Sequence, residues 1–174
     1  TVKSGFPTKF GIPRQSGAVK KIPGKIIFQP EFRNPDAIKG LEGFSHLWII
    51  WKFSQSPESD SLTVRPPRLG GNKRMGVFAT RSPFRPNPIG LSCVKIEGFE
   101  KTEKYGTVIN ISGGDLMDGT PVYDIKPYVP HADCIPDAAG GFSDEVKDYR
   151  LEVNLPPEVA DGIDGEILET IVEL

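Results

Sequence analysis

Hydrophobic and polar positions alternate clearly between residues 45 and 53. Leu47, Ile49 and Trp51 fall on one face of an extended chain, because successive side chains of a strand point to opposite sides. The segment is also rich in β-branched and aromatic residues, which strands prefer. The pattern predicts a strand whose apolar face lies in the core.

Four further stretches predict strands, at residues 75–80, 89–99, 106–112 and 120–129, with turns rich in Pro and Gly between them. Seven Gly and Pro residues interrupt residues 1–25, so only short extended pieces are expected there. No helical pattern of ten or more residues alternates with these strands. The sequence therefore predicts a mainly β fold with short helices and long loops, closed as a small barrel or sandwich, and not a Rossmann fold.

Helices are expected at two places only. Asn34 can cap a short helix that begins at Pro35 and ends at Gly40 or Gly43. Near the C-terminus, residues 164–174 space their apolar side chains as one face of a helix does.

Composition indicates one principal domain, since the chain has 174 residues of which 37% are hydrophobic. No stretch approaches the roughly 20 consecutive apolar residues of a membrane helix, and no leader peptide is recognised. Cys93 and Cys134 lie far apart without CxxC spacing. We therefore expect free thiols and a cytoplasmic location.

Charge is strongly segregated although the net charge is only −2. Residues 1–90 hold 15 Lys and Arg against 5 Asp and Glu, whereas residues 91–174 hold 6 against 18. Residues 61–96 contain no acidic residue and seven basic ones, namely Arg65, Arg68, Lys73, Arg74, Arg81, Arg85 and Lys95. Such a stretch is typical of a surface that meets a polyanion, and equally of a solvated basic face.

Several common sites are excluded by spacing. The paired glycines fit neither GxGxxG nor a phosphate-binding loop, and no GxSxG elbow is present. His46 and His131 are the only histidines and the cysteines do not cluster, so no metal site is predicted.

The run MGVFATRSPFRPNPIGLS at residues 75–92 predicts a stiff basic loop between two strands, because three prolines fix its path. Arg81 and Arg85 can grip a phosphate or carboxylate with two hydrogen bonds each, and Asn87 is held beside them. The alternative is an ordinary proline-rich surface loop.

A second run, residues 115–130, places Asp118 in a turn just before a strand. Asp in such a position commonly bonds the amides of its own turn. Asp124, Lys126 and Tyr128 share one face of the strand that follows, where they line either a cleft or a solvated side.

Four segments together resemble the TsaA-like, or TrmO, family of tRNA methyltransferases. They are PRQSG at 13–17, GLEGFSHLWII at 40–50, VRPPRLGGNKRMGVFATRSPFRPNPIGLS at 64–92 and DGTPVYDIKPYVP at 118–130. The resemblance implies a β-barrel that binds S-adenosylmethionine (SAM) near the interface of a homodimer. It also implies methylation of N6 in N6-threonylcarbamoyladenosine at position 37 of tRNA. Residues 1–140 are then the SAM-binding domain, and residues 141–174 are a C-terminal segment that begins a further small domain.

By the same resemblance, eleven residues are expected to contact SAM: Arg14, Gln15, Ser16, His46, Leu47, Arg81, Leu91, Asp118, Gly119, Thr120 and Pro121. Among them, Arg81 offers donors for a carboxylate, Asp118 an acceptor and Leu91 apolar cover, which are the groups that such a ligand needs.

A urea-type N6 is a poor nucleophile, so a proton acceptor is expected, and the candidates are Asp118, Asp124 and Tyr128. We predict that tRNA contacts come from Arg65, Arg68, Lys73, Arg74, Arg85, Asn87 and Lys126. Two other classes stay open: a non-catalytic RNA-binding barrel, although stacking aromatics are not evident at surface spacing, and a barrel that binds SAM only as a signal.

Overall fold

The structure is a computed structural model that describes residues 1–57, 59–147 and 153–173. Within these residues, eight strands carry the fold: β1 (Val2–Ser4), β2 (Pro23–Ile26), β3 (His46–Lys52), β4 (Thr63–Val64), β5 (Met75–Gly76), β6 (Ile89–Thr102), β7 (Gly106–Ser112) and β8 (Val122–Pro127). Three short α-helices follow in the described part of the chain: α1 (Pro130–Asp133), α2 (Pro157–Ala160) and α3 (Gly165–Glu173).

Six strands form one antiparallel sheet in the order β1-β2-β7-β6-β3-β8, which curls into a half-barrel. The turn before β8 spans the gap between the two sheet edges. In this turn Gly119 N–H donates to Val2 O, while Val2 N–H donates to Thr120 O at 3.0 Å. On its other side, Pro121 O accepts from Lys52 N–H at the end of β3. The mainly β prediction without a Rossmann fold is confirmed.

The core fills the concave side of the sheet. The strand predicted at residues 45–53 is β3, and Leu47, Ile49 and Trp51 are all buried as the alternation requires. Val94 of β6 and Ile109 of β7 pack in the same cluster. A buried apolar side chain of this size stabilises the fold by about 1.5–3 kcal/mol, so this face fixes the register of the central strands.

Gly90 allows the Trp51 ring to lie against β6. A Cβ atom at position 90 would stand 2.2 Å from the Trp51 Cε2 atom, closer than any packed contact permits. The ring then donates through Nε1 to Ser92 Oγ at 2.9 Å. The close approach of β3 and β6 at this end of the sheet therefore depends on a residue without a side chain.

The predicted short helix at Asn34 is a 3₁₀ helix, Pro35–Ile38. Asn34 Oδ1 accepts from Asp36 N–H at 3.0 Å, as an N-cap does, and the helix ends at Ile38 with Lys39 as its C-cap, one residue before Gly40 at φ +89°. The cap is confirmed, whereas the helix is a single 3₁₀ turn that stops before the predicted Gly40 or Gly43.

The strand predicted at residues 75–80 is wrong beyond Gly76. Val77–Ala79 is a 3₁₀ turn, in which only Val77 is buried and Phe78 and Ala79 are exposed. The segment has one buried apolar side chain and no alternating apolar face, so it would bury little further apolar surface as a strand. The strand predicted at 120–129 is shorter as well, because Thr120 and Pro121 belong to the closing turn.

β4 and β5 form a separate two-stranded ribbon, with Thr63 opposite Gly76 and Val64 opposite Met75. The ten residues between the strands include the 3₁₀ segment Pro67–Leu69. We call residues 63–76 the basic hairpin. At the C-terminal end, the helix predicted at 164–174 is α3, and Leu174 lies outside the described residues.

Candidate functional site

β6 changes neighbours along its length. Residues 95–102 pair with β7, whereas residues 89–94 pair only with β3, so one backbone edge of this half of β6 is not covered by a strand. The Cys93 amide donates instead to Ser16 Oγ at 3.1 Å. Because hydrogen-bond direction alternates along an antiparallel strand, the Leu91 amide points to the same side. We call this uncovered part of β6, residues 89–94, the open edge.

Arg81 meets the loop that carries Arg14, Gln15 and Ser16. Its Nη1 donates to Gln15 Oε1 at 2.7 Å, and both side chains are exposed. A guanidinium has five N–H donors in a planar fork, so this contact orients Arg81 and leaves most of its donors available to a carboxylate. Arg14, also exposed, adds a second positive charge on the same loop.

Asp115 lies behind this loop and was not among the predicted residues. Its Oδ1 accepts from Ser92 Oγ at 2.5 Å, and Ser92 in turn accepts from the Trp51 indole. The Ser16 amide also bonds the Asp115 carboxyl, and the Arg81 charge acts on it. Burial nevertheless raises the pKa of Asp115 above the usual carboxyl value. No motif indicates this role, because the partners are distant in the sequence.

The turn at residues 118–121 is a brace as well as a candidate contact. Asp118 Oδ1 accepts from Ser4 N–H of β1 at 2.9 Å rather than from an amide of its own turn, and its carboxylate is otherwise exposed. Thr120 is buried and its Oγ1 donates to Met117 O. Asp118 and Gly119 are therefore the exposed members of the turn, while Pro121 is half-buried.

His46 and Leu47 begin β3, opposite Lys95 and Val94 at the end of the open edge that lies next to β7. His46 faces the convex side and pairs with Lys95, four residues along β6 from Leu91, or about 13 Å at 3.3 Å per residue. Leu47 has no exposed surface, so its side chain packs in the core rather than facing a ligand. The structure thus brings the loop of Arg14, Gln15 and Ser16 together with Arg81 at the open edge, where Leu91 also lies. The turn at 118–121 contacts β1 and the end of β3 instead, and Leu47 lies in the core.

Asp124 and Lys126 lie on the convex face of β8, opposite Ile50 and Trp48 of β3. They form an exposed ion pair of 3.2 Å, an interaction worth little in water. Asp124 Oδ1 also accepts from the Ile125 amide. The shared face that the sequence predicts is therefore largely solvated.

Tyr128 stands at the His46 end of the same face. Its ring lies 5.8 Å from the Trp48 ring and 6.3 Å from His46. Burial raises the pKa of Tyr128, and the neighbouring Cys134 raises it further. The phenol stays protonated at neutral pH, so it can donate a hydrogen bond but is a poor proton acceptor.

The basic hairpin presents Arg65, Arg68, Lys73 and Arg74, all exposed. Arg74 Nη1 donates to Thr63 Oγ1 at 3.1 Å, and among the described residues none of the four forms an ion pair with a carboxylate. Their charge is therefore available to a polyanion. Arg85 and Asn87 belong instead to the proline-rich loop, where Arg85 donates to Thr80 O and Asn87 O accepts from Ile89 N–H.

Stacking aromatics are not evident from the spacing in the sequence, yet the structure exposes two aromatic rings in the proline-rich loop. Phe78 is 76% exposed, and Phe84 is 44% exposed on the same loop. The sequence places both in an apolar-looking run, and only the 3₁₀ turn after β5 directs Phe78 outwards.

The residues at the open edge fit SAM. Arg81 and Arg14 supply donors for its carboxylate, the Leu91 amide and carbonyl offer an adenine or ribose unmade backbone bonds, and the exposed Leu91 side chain offers apolar cover. A surface cavity of about 370 Å³ beside Phe99 and Lys39 contains none of the predicted contacts. In the described part of the chain, no helix is long and apolar enough to cross a membrane.

The structure is a β domain built on a curled antiparallel sheet. Arginine, amide and carboxyl groups lie at its open edge and suit a small zwitterionic ligand. The basic hairpin, which is close to this edge in the sequence, suits an anionic partner. Comparison with known protein families identifies the family to which this domain belongs. The chain belongs to the family of the tRNA-methyltransferase O N-terminal domain, whose model matches residues 1–134.

Individual relatives agree with this family. The tRNA (adenine(37)-N6)-methyltransferase of Escherichia coli is 46% identical over 159 residues, which are 91% of this chain and 67% of that protein. A probable S-adenosyl-L-methionine-binding protein of Pyrococcus abyssi is 39% identical over 132 residues, 76% of this chain and 66% of that protein. A crystal structure of TrmO matches with a TM-score of 0.66 and 45% identity, covering 81% of this chain and 60% of that one. The chain thus spans about two thirds or less of the length of these relatives.

Proposed function

We propose that the protein is a SAM-dependent methyltransferase that modifies N6 of the adenosine at position 37 of tRNA. The observation that carries the proposal is the gathering of Arg14, Gln15, Ser16, Arg81 and Leu91 at the open edge, in a chain of the family named above. The names of the relatives in Escherichia coli and in Pyrococcus abyssi support the tRNA substrate and SAM respectively.

The finer proposal is that the substrate is N6-threonylcarbamoyladenosine. Its carboxylate would give the arginines of the proline-rich loop a second anionic group to bind, beside the phosphates of the RNA. We expect the reaction to take place in the cytoplasm, in keeping with two free cysteines and a tRNA substrate.

Bound SAM supplies an electrophilic methyl group. The protein has to hold the accepting nitrogen in line with it, exclude water and receive the proton that the nitrogen loses. Asp118 and Asp124 are the candidates for that proton, since both carboxylates are exposed. Asp118 lies in the turn that the family pattern assigns to SAM, and Tyr128 is the weakest candidate because its pKa is raised.

We also propose that two copies complete the SAM site. His46 lies on the convex face of β3, about 13 Å along the sheet from the Leu91 row, so a second subunit docked on that face would bring its own His46 towards the ligand at the open edge. The convex face of β6 exposes Ile89 and Leu91 at 48% and 53%, which offers such a subunit an apolar surface.

The test is transfer of label from methyl-labelled SAM to tRNA. We expect label in tRNA that contains N6-threonylcarbamoyladenosine at position 37 and much less in a transcript with plain adenosine there. Equal labelling of both would contradict the finer substrate. Binding of SAM without any transfer to either would contradict the enzyme and favour the signalling alternative.

A further inference from the structure

Phe78 is presented to solvent by a rigid support. It follows Val77, which is 1% exposed and anchors the 3₁₀ turn in the molecule, whereas Phe78 itself is 76% exposed. The Val77 amide donates to Leu62 O at 3.0 Å, and the Thr80 amide and Oγ1 both return to Val77 O. The ring therefore does not stand on a loose loop.

Arg85 lies over the Phe78 ring. The Arg85 guanidinium carbon is 6.0 Å from the ring centroid, and Arg85 Nη1 donates to Thr80 O at 2.9 Å. These two contacts hold the Arg85 side chain in position. The loop is braced further by hydrogen bonds from the Ser82 amide to Thr80 Oγ1 and from the Phe84 amide to Ser82 Oγ. A pre-ordered aromatic and arginine pair loses little entropy when a ligand binds.

Phe78 lies in the chain between the basic hairpin, which is predicted to bind RNA, and Arg81, which is predicted to bind SAM. The basic hairpin ends two residues before it at Gly76, and Arg81, which bonds Gln15 at the open edge, follows three residues after it. Residues 61–96 contain no carboxylate side chain. An occupant of this surface therefore meets an aromatic face within a strongly positive stretch, which suits a nucleic acid rather than a neutral or basic protein surface.

We infer that Phe78, with Arg85, forms a stacking platform for an unpaired RNA base next to the methylated adenosine. Aromatic stacking is largely independent of base identity, and a base inside a helix is already stacked between its neighbours, so an unpaired base is the one that can stack on a side chain. The platform thus selects a looped-out region of RNA, while the basic hairpin binds phosphates without regard to pairing. This inference rests on the proposed tRNA substrate and adds the feature of the RNA that is recognised.

The experiment compares two RNAs of equal length: a stem-loop with the anticodon-arm sequence, and a fully paired duplex. Fluorescence anisotropy at one fixed salt concentration gives the affinity of the protein for each. Phe78→Ala is expected to weaken stem-loop binding about tenfold, within the range for one stacked base, and to leave duplex binding within twofold. Phe78→Trp should restore the stem-loop affinity, whereas Phe78→Leu, which keeps an apolar side chain without a π face, should not.

Phe32→Ala is the matched control, because Phe32 is 58% exposed but lies in the separate 3₁₀ segment Pro30–Phe32. It should change neither affinity. An equal loss for stem-loop and duplex, or a change of molecular mass in light scattering with Phe78→Ala, would overturn the platform, and the latter would indicate a subunit contact instead. If the parent protein does not bind the stem-loop or methylate tRNA, the proposed function fails first. If the parent does both and Phe78→Ala does both equally well, only the platform fails.

Discussion

Arg81 joins the proline-rich loop to the loop of Gln15, and this single contact orders the cationic side of the open edge. We predict that Arg81→Ala weakens SAM binding by at least about tenfold, roughly 1.4 kcal/mol, because alanine offers no donors to a carboxylate. Isothermal titration calorimetry measures the change. Arg74→Ala removes an exposed arginine from the basic hairpin and should leave SAM affinity unaltered. Unchanged affinity in Arg81→Ala would remove Arg81 from the site.

We expect the stability of the folded protein to depend on pH through Asp115, and the sign of this dependence follows from the burial of its carboxyl group. Because burial raises its folded-state pKa above that of the unfolded chain, the folded protein holds the proton more tightly. The stability from this group is fully present below the unfolded pKa and is lost as pH rises through the folded pKa. We predict that Asp115→Asn removes this dependence, so that wild type gains stability relative to the variant as pH falls from 7 towards 4.

Urea denaturation at several pH values measures that difference. The same variant should weaken SAM binding at pH 7, because Asn replaces one of the two acceptor oxygens by an NH2 donor and so disturbs the bonds from the Ser16 amide and the Ser92 hydroxyl. Asp137→Asn, at an exposed position after α1, is the control. A constant difference in stability across the pH range would show that Asp115 does not titrate differently in the folded state.

At the scale of elements, the basic hairpin makes the RNA contribution separable from the SAM contribution. We predict that reversing Arg65, Arg68, Lys73 and Arg74 to Glu flattens the salt dependence of tRNA affinity by a few units of slope, since phosphate contacts release counterions. SAM affinity should change little because the hairpin is a separate ribbon. Filter binding between about 50 and 200 mM salt measures the slope.

The control reverses four exposed lysines elsewhere, Lys20, Lys39, Lys101 and Lys104. It changes the net charge equally but should leave most of the salt slope intact. If the hairpin variant methylates tRNA normally at physiological salt, the nucleic acid docks on another surface and the acid-free stretch is a solvated face.

Elements with a two-sided pattern could be predicted from the sequence, and those set by tertiary contacts could not. β3 alternates fully, and its buried face is the one that the alternation indicates. Residues 75–80 have the composition of a strand, yet a single buried contact at Val77 leaves them in a turn. Asp115 escaped detection for a similar reason, since its role depends on Ser16 and Arg81 being brought beside it by the fold.

The candidate site likewise combines features that the sequence predicts with features that depend on tertiary contacts. Arg81 and Gln15 were expected from the family pattern, and the structure joins them, but no pattern states that half of β6 lacks a strand on one side. That edge results from the end of the pairing with β7 at Lys95, while β3 pairs on to Ile89. The outward position of Phe78 has a comparable origin in the turn after β5.

For the whole molecule, we predict a dimer at micromolar concentration, measured by light scattering with the mass read directly. Ile89→Asp introduces a charge on the exposed convex face of β6 and should shift the mass towards the monomer while weakening SAM binding. Ile135→Asp, at a position that is 71% exposed outside the sheet, should do neither. A parent protein that is monomeric and still binds SAM would contradict the shared site.

The turn that spans the half-barrel also limits how early this part of the fold can form during synthesis. It ties Ser4 to Asp118, 114 residues away, so this contact forms only after most of the chain exists. At 5–20 residues per second, a ribosome needs about 6–23 s to make the intervening chain. Meanwhile β1 can pair with β2, but its other edge keeps unpaired backbone groups that favour association with neighbouring chains. Nascent chains should therefore be most prone to aggregation during that interval, and a slower ribosome should lengthen their exposure.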